Sequence, residues 1–449
     1  MSLLPPPPEP PLSTFRQTLR FTRNPYAFLA QARAECGEIF SLRLLGMGRW
    51  VFLCSAEHLG EIYKMGEDQV VAGEIRKKLL AYLFGSRASI ALDGEEYALR
   101  RRVVQPYFGG RHVLQHTGLI HQLTMEKIER WPVGEELALM PHLNRISSEV
   151  AGRILFGPLE EEPARRFLPL SLTFLAALQP PVVQVRPLQW NLGRWNAFGR
   201  FLAARKALSE ALEAEVTARL RDGGTGSETP PDVLSALVAA ELYDDEEGRC
   251  EAIVHELIAL VVGGAETTSK VLAWTLLGVL SKQHVRERLR RELDEVLGAR
   301  AIRNEDLRHL PYLHAVIQEG MRFQSAGPFA GPRLLKKDIE VGGYAIPEGT
   351  VLAQCLQEVG RSEAFLNPEE FDPENFLDHK VKPREWAPFG GGSRLCTGMG
   401  LAQLELAVVV GTLIQHVDLE LGAGPTHPRR SGVAFQPANG LRVKVLSKR

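Results

Sequence analysis

The spacing of apolar and polar positions changes along the chain. Residues 24–37, NPYAFLAQARAECG, have the period of an amphipathic helix that ends at a glycine. Residues 39–55, IFSLRLLGMGRWVFLCS, alternate as two paired strands with a turn at Gly46 to Gly48. From about 95 to 300 the pattern is mainly helical, and it resumes over 305–323. The chain is therefore predicted to be mainly α-helical, with a small β region near its start.

The last third returns to short strands before one more helix. Residues 333–354, RLLKKDIEVGGYAIPEGTVLAQ, alternate in short pieces with turns at Gly342-Gly343 and Pro347 to Gly349. Residues 361–395 are rich in Pro, Phe, Asn and Gly, which predicts an ordered coil. Residues 397–417, TGMGLAQLELAVVVGTLIQHV, predict a final helix that begins near Gly398.

Composition is typical of a globular protein with a substantial core. The chain has 449 residues, of which 45% are hydrophobic and 24% charged, and its net charge of −1 provides no global field for nucleic acid or a membrane. We expect a Pro-rich N-terminal extension over residues 1–14, and no break over 15–449 is strong enough to indicate a second domain. The most apolar stretch, 252–280, is interrupted by Glu266 and Lys270, and its charge-free pieces are too short to span a bilayer. It predicts a buried core helix, with no integral membrane anchor.

Cysteine use indicates a reducing compartment. No cysteine pair has metal-ligand spacing, the N-terminus lacks the apolar run of a signal peptide, and a chain of this size does not need disulfides. We therefore expect a cytoplasmic protein. The five cysteines are scattered at Cys36, Cys54, Cys250, Cys355 and Cys396.

The stretch FGGGSRLCTG, residues 389–398, is the first candidate for chemistry. Cys396 lies just before the predicted last helix, whose unpaired N–H groups favour an anionic sulfur. Three glycines would allow backbone amides to approach that sulfur, which tunes a thiolate that ligates a metal. Arg394 adds a fixed cation. These features suit a flat cofactor with a soft metal at its centre and carboxylates at its rim, which describes haem; the alternative is a Gly-rich turn beside a buried thiol.

A second candidate is GGAETTS, residues 263–269, in the middle of the long apolar segment. Two glycines inside a helix cost about 1 kcal/mol each relative to alanine, which suggests a compensating role. Glu266 and Thr267 follow them, and polar groups in an apolar helix need partners or a function. The alternative is a kinked helix with threonines bonded to its own backbone.

The two candidates together resemble one known family. The pattern F-x-x-G-x-R-x-C-x-G, made by Phe389, Gly392, Arg394, Cys396 and Gly398, is similar to the haem-binding loop of the cytochrome P-450 family of haem-thiolate monooxygenases. The resemblance implies that haem b is the cofactor, that Cys396 ligates its iron, that Arg394 binds a propionate and that Phe389 packs near the sulfur. It also implies a single domain over 15–449, with a triangular prism-like fold and the haem between a distal long helix and the proximal Cys-loop helix.

Companion motifs extend the resemblance over almost the whole chain. GGAETTS resembles the distal-helix motif, with Glu266 in place of the usual aspartate as the proton-relay acid and Thr267 as the catalytic alcohol. DGEEYALRRRV, 93–103, resembles a haem-propionate motif whose members here are Tyr97 and Arg101. Arg333 is a third candidate for a propionate.

A structural motif of the family is also present. EGMR resembles its E-x-x-R pair, as Glu319 and Arg322, and FDPENF resembles the segment that locks this pair. Asn375 stands there in place of the usual arginine, so we expect Arg322 to neutralise Glu319 alone.

The resemblance also locates a substrate pocket. It draws on 72–91, the helices around 165–205, the distal helix, 325–331 and a turn near 433–435. Apolar or small side chains dominate there, which suggests an apolar substrate such as a terpenoid, steroid, fatty acyl chain or polyketide; for any single residue, a place in the core is the alternative. The expected lining residues are Ile90, Ala259, Val262, Gly263, Ala326, Phe329, Val433 and Phe435.

The implied activity is insertion of one oxygen atom from O2 into a C–H or C=C bond. The chain ends soon after the last predicted strands, so we expect electrons from a separate ferredoxin or flavodoxin with its reductase. A local basic patch would dock that partner. Alternatives are a reductase-independent peroxygenase, isomerase or dehydratase, and a non-catalytic haem or ligand carrier. The expected patch comprises Arg100, Arg101, Arg102, Lys380, Lys382 and Arg384.

Overall fold

The structure is a computed structural model that describes residues 4–179, 189–221, 231–240, 242, 246–377, 381 and 386–449. Backbone contacts divide the chain into two units. The first unit comprises Met1–Ala98 with Gly327–Cys396, and the second comprises Leu99–Ala326 with Thr397–Arg449.

Helices account for most of the described residues, as the sequence predicts. The α-helices are α1 Thr14–Arg23, α2 Pro25–Cys36, α3 Ala56–Ile62, α4 Gly73–Phe84, α5 Gly94–Val104, α6 Gly110–Leu114, α7 Thr117–Glu129, α8 Leu139–Phe156, α9 Ala164–Leu178, α10 Ala197–Arg221, α11 Val233–Ala239, α12 Glu246–Ser281, α13 Gln283–Leu297, α14 Pro311–Phe323, α15 Leu356–Gly360 and α16 Met399–His416. The strands are β1 Ile39–Leu44, β2 Gly48–Leu53, β3 Val70–Val71, β4 Glu136–Ala138, β5 Ala330–Leu335, β6 Ile339–Val341, β7 Tyr344–Ile346, β8 Val351–Gln354, β9 Val417–Leu421, β10 Pro428–Ser431, β11 Ala434–Pro437 and β12 Arg442–Lys448.

The first unit is built on a five-stranded sheet with the order β1-β2-β8-β5-β3. The predicted hairpin is confirmed, with β1 and β2 antiparallel around Gly46 to Gly48. Its core side chains, among them Phe40, Trp50 and Phe52, pack with Phe28 of α2 in one apolar cluster. Burial of these large rings stabilises one side of the sheet, and a second apolar cluster that includes Ile39, Val51 and Leu352 also contributes.

The proline-rich segment lies beside β1 of this sheet and beside β7 of a separate two-stranded pair. The backbone N–H of Ser41 donates to the carbonyl of Pro8 at 2.8 Å, and the N–H of Ala345 donates to Pro5 at 3.0 Å. Proline has no N–H of its own to donate, so its residues bond here through their carbonyls, and the Glu9 carboxylate accepts from Gln17 and Arg43. Helix α1 then begins at Thr14, where the Ser13 side chain caps it.

The predicted strands after residue 330 are confirmed in the first unit, and one helix was missed. β6 and β7 form an antiparallel pair around Gly342-Gly343, and β8 follows the turn at Pro347 to Gly349. Residues 356–360 form a single buried helical turn, α15, that the sequence did not predict. Five residues are too few for a helical period to be recognised.

The second unit is organised around α12, a helix of 36 residues. This helix contacts α8, α10, α14 and α16. It is apolar on nearly all sides, as expected of a helix surrounded by others. Two helical segments, Gly248–Ser281 and Met399–His416, are long and apolar enough to cross a membrane, but 67% and 72% of their most apolar windows are buried inside the protein. They are core helices of this unit.

Short strands complete the second unit. β4, β12 and β9 form a three-stranded sheet, and β10 pairs with β11 in a hairpin. Gly432 lies in the hairpin turn with φ of +63°, a conformation that glycine adopts without strain. Helix α16 begins at Met399 after Gly398, which confirms the predicted start of the last helix.

Candidate cofactor and catalytic site

The cysteine loop of the first unit folds back on itself. The Cys396 N–H donates to the Phe389 carbonyl at 3.0 Å, and the Cys396 side chain is exposed. Gly390 and Gly392 have φ of +74° and +66°, which only glycine adopts readily. The loop therefore presents its thiol at the surface of this unit, two residues before the chain reaches Gly398.

Contact with Tyr63 also requires glycine in this loop, and the sequence did not indicate that contact. A Cβ at Gly391 would come within 2.5 Å of the Tyr63 ring, and one at Gly392 would come equally close to the Tyr63 carbonyl oxygen. A side chain at either position would displace the loop from Tyr63. Close packing on this residue thus requires the glycines, in addition to any approach of amides to sulfur.

Arg394 is held inside the same unit. Only 4% of its side chain is exposed, and its Nη2 donates to the Leu92 carbonyl at 2.7 Å and to Asp93 at 2.5 Å. Its guanidinium carbon lies 3.6 Å from the centre of the Tyr97 ring, in cation–π contact. Its Nη1 is buried and has no hydrogen-bond partner among the residues that the structure describes. A buried charged donor without a partner points to a missing acceptor.

Tyr97 is placed differently from the prediction. The hydroxyl was expected to donate to a haem carboxylate, but it donates to the Ser393 carbonyl at 2.9 Å. The ring instead forms the face on which Arg394 rests. Tyr97 therefore positions the cysteine loop and its arginine.

Two further arginines surround Arg394. Arg333 is buried, with its guanidinium over the Tyr63 ring and donating to the Gly391 carbonyl at 2.9 Å. Arg76 of α4, which sequence reasoning missed, forms no ion pair with any described residue. Burial, followed by repulsion from Arg394 and Arg333, lowers the pKa of Arg76 to about 10. The same two causes, burial and then repulsion from Arg394, lower the pKa of Arg333.

The arginine cluster, Arg76, Arg333 and Arg394, has more positive than negative charge. Asp93 is its nearest carboxylate, and that group also accepts from the backbone N–H groups of Ala72 and Gly73. An anionic group brought to the cluster would relieve the mutual repulsion and satisfy Nη1 of Arg394. The cluster therefore fits a ligand that carries carboxylates, such as the two propionates of haem.

In the second unit, α12 leaves one face open. Ala259, Leu260, Gly263, Gly264 and Thr267 are exposed or half-buried, whereas most of the helix is buried. A Cβ at Gly263 would meet no atom within 4 Å, so the helix surface has a gap at this position. The Thr267 hydroxyl donates to the Gly263 carbonyl at 2.8 Å, which leaves its oxygen lone pairs free to accept a hydrogen bond from a molecule on this face.

Glu266 lies in the interior beside that open face. It is 2% exposed, and its Oε2 is 3.0 Å from Nζ of Lys270, which is fully buried one turn later. Its Oε1 accepts from Nε2 of Gln179 at 2.6 Å. The Gln179 amide oxygen in turn accepts from the Ser431 hydroxyl, in the β10–β11 hairpin. The buried acid is thus neutralised by a lysine in its own helix, a partner that the sequence could have indicated through the i,i+4 spacing.

The E-x-x-R pair is buried as predicted. Arg322 donates through Nε and Nη2 to both carboxylate oxygens of Glu319, at 2.7 Å and 2.6 Å, and neither side chain is exposed. Asn375, in the first unit, is also fully buried, and its Oδ1 accepts from the Leu366 N–H at 2.6 Å. A bidentate pair of this kind is costly to break, because removal of one partner leaves a buried charge.

Comparison with known proteins identifies the family. The family model for cytochrome P-450 matches residues 5–444. The chain belongs to the cytochrome P-450 family. A relative from Mycobacterium tuberculosis strain H37Rv, provisionally named cytochrome P-450 138, is 30% identical over 442 residues, which cover 96% of this chain and 94% of the relative.

Two further comparisons agree. A Mycobacterium bovis relative, provisionally named cytochrome P-450 135B1, is 28% identical over 465 residues. The matched region covers 99% of this chain and 92% of the relative. A solved structure described as retinoic acid bound cyanobacterial CYP120A1 has a TM-score of 0.83 and 25% sequence identity, over 99% of this chain and all of that one. The protein has the cytochrome P-450 fold and is a haem-thiolate protein of the monooxygenase class.

Several predicted pocket residues of this cytochrome P-450 come together in the second unit. The Phe435 N–H donates to the Ala326 carbonyl at 3.0 Å, and the Phe435 carbonyl accepts from the Trp274 indole at 2.9 Å. Val433 is half-buried in the same hairpin. Ala259 and Gly263 lie on the open face of α12, but Val262 is 1% exposed and lies in the core.

The two predicted pocket residues of the first unit have different environments. Ile90 is half-buried in a short 3-10 turn, Ser89–Ala91. Phe329 packs against Phe21, Trp50 and Phe52, with ring centres 5.6 to 5.9 Å apart. Its ring belongs to the aromatic core of the first unit. A place in the core was the alternative to the pocket for each of these residues, and it is the commoner one for apolar side chains.

The predicted basic patch is smaller than expected. Arg100 is 1% exposed and lies 3.5 Å from Glu256, so it holds α5 against α12 and is unavailable to a partner. Arg101 is half-buried and donates to Gln105, whereas Arg102 is exposed. Lys380, Lys382 and Arg384, also predicted for the patch, lie outside the described residues.

Proposed function

We propose that this cytochrome P-450 inserts one atom of O2 into a C–H or C=C bond of an apolar small molecule. The observation that carries the proposal is the placement of Thr267 on the open face of α12, directly after the buried and ion-paired Glu266. A carrier of haem would need neither group. Activation of dioxygen by reduction needs protons, and an acid beside an alcohol can deliver them.

We propose that Cys396 ligates the haem iron and that Arg394, Arg333 and Arg76 bind the propionates. A thiolate ligand supplies the electron density that favours O–O cleavage. The unpaired Nη1 of Arg394 and the mutual repulsion in the arginine cluster support this assignment. Arg101, which the sequence placed in the same role, stays a prediction.

Thr267 and Glu266 share the handling of protons. The Thr267 hydroxyl gives its hydrogen to the Gly263 carbonyl, so it can accept a hydrogen bond and hold a water molecule on the open face. The Glu266 carboxylate, with Lys270 as its counter-ion, would accept a proton from outside and pass it towards Thr267. Lys270 also donates to Oδ1 of Asn144 at 3.4 Å and so remains anchored when Glu266 changes its charge.

Apolar lining supports the proposed substrate class. Ala259, Gly263, Ala326, Val433 and Phe435 contribute small or apolar side chains from α12, the end of α14 and the β10–β11 hairpin. The neighbour with the same fold is described as retinoic acid bound. A terpenoid, steroid, fatty acyl chain or polyketide would suit an apolar lining of this kind.

We propose further that the enzyme is cytoplasmic and receives electrons from a separate ferredoxin or flavodoxin with its reductase. Exposed Arg102 is the described member of the predicted docking patch. Reversal of its charge should slow reduction by an acidic ferredoxin and weaken the salt dependence of that rate.

Thr267→Ala tests the proton-handling role. The variant should bind haem normally but divert at least half of the consumed NADPH to hydrogen peroxide, since water is no longer held on the open face. Thr267→Ser keeps the hydroxyl and should restore coupling. Thr268→Ala is the matched control, because Thr268 is buried on another side of the helix. Product yield per NADPH and peroxide release are measured together, and unchanged coupling in Thr267→Ala would refute the role.

Cys396→Ser tests the ligand independently of activity. The variant should lose the red-shifted Soret band that the reduced carbon monoxide complex of a thiolate-ligated haem shows; a retained band would exclude Cys396 as the ligand. Turnover with NADPH and redox partners, compared with turnover driven by peroxide alone, then separates the monooxygenase from a peroxygenase or isomerase.

A further inference from the structure

Tyr63, the residue that follows α3, packs its ring directly on the cysteine loop. A Cβ at Gly391 would lie 2.5, 2.7 and 2.8 Å from three atoms of that ring. Gly391 has φ of −167°, an extended backbone that any residue can adopt, so backbone strain does not require glycine at this position. The contact with the Tyr63 ring is therefore what excludes a side chain there.

Hydrogen bonds connect Tyr63 to an earlier point of the same loop. The Tyr63 hydroxyl donates to Oε1 of Gln354, and Nε2 of Gln354 donates to the Ala387 carbonyl at 3.3 Å. Gln354 is buried at the end of β8, inside the five-stranded sheet. Burial raises the pKa of Tyr63 to about 12, although the bond to Gln354 opposes the rise, so the hydroxyl stays a donor at neutral pH. The loop is thus tied to the sheet through two neutral side chains.

Arg333 holds Tyr63 and the loop together from a third direction. Its guanidinium carbon lies 5.1 Å from the centre of the Tyr63 ring. Its Nη1 donates to the Ile62 carbonyl at 3.1 Å, and its Nη2 donates to the Gly391 carbonyl at 2.9 Å. One buried arginine therefore joins the end of α3 to the loop that Tyr63 contacts.

We propose that Tyr63 is a positioning residue that keeps the cysteine loop in the conformation in which the Cys396 thiolate can ligate iron. The Cys396 N–H donates to the Phe389 carbonyl, and Phe389 lies between the two anchored positions, Ala387 and Gly391. A shift of this segment would move the cysteine and the amides that stabilise its anionic sulfur. The inference rests on the proposed role of Cys396 as the iron ligand.

The test follows the Soret band of the reduced carbon monoxide complex of the haem-loaded protein in mild urea. Tyr63→Ala should lose the red-shifted, thiolate-ligated band about tenfold faster than the wild type, since the ring contact and the hydrogen bond are both removed. Tyr63→Phe keeps the ring and should lose the band at an intermediate rate. A wild-type rate in Tyr63→Ala would overturn the proposal.

Tyr344→Ala is the matched control. Tyr344, on β7, is half-buried and packs against the same apolar cluster as Tyr63. Its removal should lower the free energy of unfolding but leave the loss of the thiolate band at the wild-type rate. If Tyr344→Ala accelerated that loss as much as Tyr63→Ala, a general loss of stability would be the cause and the proposal would be wrong.

Gly391→Ala tests the contact itself. In the wild-type background its Cβ would displace the loop from the Tyr63 ring, so the thiolate band should be lost faster. In the Tyr63→Ala background the ring is gone, and the same substitution should add little. Equal acceleration by Gly391→Ala in both backgrounds would contradict the contact as the cause.

Hydrogen exchange of the loop amides, residues 389–396, gives a readout that does not depend on the iron ligand. In the haem-loaded protein, Tyr63→Ala should speed this exchange several-fold, and Tyr344→Ala should not. If the wild type lacked the red-shifted band, the assignment of Cys396 would fail, but the exchange rates would still decide the role of Tyr63. Loop exchange at the wild-type rate in Tyr63→Ala would overturn that role.

Discussion

At the scale of single residues, the arginine cluster shows how much of the site depends on charge. Arg394 and Arg333 could be predicted from the motif around Cys396 and from the resemblance to the family. Arg76 could not, because it lies in α4, far away in sequence, and only the fold brings it to the other two. Asp93 and Tyr63 were missed for the same reason: the residues that position a motif need not belong to it.

Arg76 gives the first prediction. Arg76→Leu should release haem several-fold faster, because one cation facing the propionates is lost, without lowering the free energy of unfolding, because repulsion within the cluster is relieved. Haem transfer to excess apomyoglobin and urea unfolding measure the two effects. Lys77→Leu, at an exposed neighbouring position of α4, is the control. Haem loss at the wild-type rate would remove Arg76 from the site.

Tyr97 illustrates a limit at this scale. The motif indicates that an aromatic donor belongs at this position, but it does not say which acceptor the donor finds. The Ser393 carbonyl is available within the same unit, and the hydroxyl donates to it. The bond thus fixes the tyrosine to the cysteine loop.

At the scale of elements, α12 has two glycines, Gly263 and Gly264, that lower helix stability and lie on its open face. Gly263→Ala should raise the free energy of unfolding by about 0.5–1 kcal/mol, because alanine favours the helix and its Cβ meets no atom within 4 Å. Gly264→Ala should bring no such gain, since its Cβ would lie 3.1 Å from that of Ala151. Urea unfolding of the haem-loaded variants measures both. A gain in Gly264→Ala equal to that in Gly263→Ala would contradict the packing argument.

Alanine at a glycine of the β10–β11 hairpin, compared with alanine at a glycine elsewhere, separates the effect of backbone strain from the effect of a contact with Glu266. Gly432 and Gly298 have φ of +63° and +59°, so alanine at either should cost about 1–2 kcal/mol of stability. A Cβ at Gly298 meets nothing within 4 Å, whereas one at Gly432 would overlap Oε2 of Glu266. Gly432→Ala should therefore also displace Glu266 and increase peroxide release. If Gly298→Ala uncoupled turnover to the same extent, the contact with Glu266 would not be the cause.

At the scale of the whole molecule, the buried Glu405 couples stability to pH. It lies in α16, 1% exposed, with the Ser147 hydroxyl as its hydrogen-bond donor, and burial raises its pKa from 4.5 to about 8. Between pH 4.5 and about 8, Glu405 is ionised in the unfolded chain but stays protonated in the folded protein. Stability contributed by the protonated form is therefore complete below pH 4.5 and is lost as pH rises to about 8.

The corresponding prediction compares variants across that window. The free energy of unfolding of the wild type should fall relative to Glu405→Gln by up to about 1.4 kcal/mol per pH unit between pH 5 and 8, about the value for one proton. Denaturant titrations at several pH values measure the difference. Glu420→Gln, at an exposed position on β9, should follow the wild type. Parallel curves for the wild type and Glu405→Gln would show that Glu405 does not carry the effect.

Much of the fold could be predicted because its long elements have clear periods. The hairpin of β1 and β2, the core helix α12 and the start of α16 all follow from apolar spacing and glycine positions. The single-turn α15 did not, since five residues carry no period. The burial of Arg100 also escaped prediction, because three adjacent arginines resemble a solvated face until Glu256 of α12 is placed against the first of them.

The ion pair of Glu266 and Lys270 balances the charge of the acid within α12 itself. The acid and its counter-ion lie one turn apart in a single helix, so neither α9 nor the β10–β11 hairpin has to provide charge for it. Those elements can diverge with the substrate, provided that an amide remains at Gln179. A chimera that takes residues 165–205 from a relative would then keep a balanced acid. The charge balance of the buried acid can therefore be kept when α9 and the hairpin change.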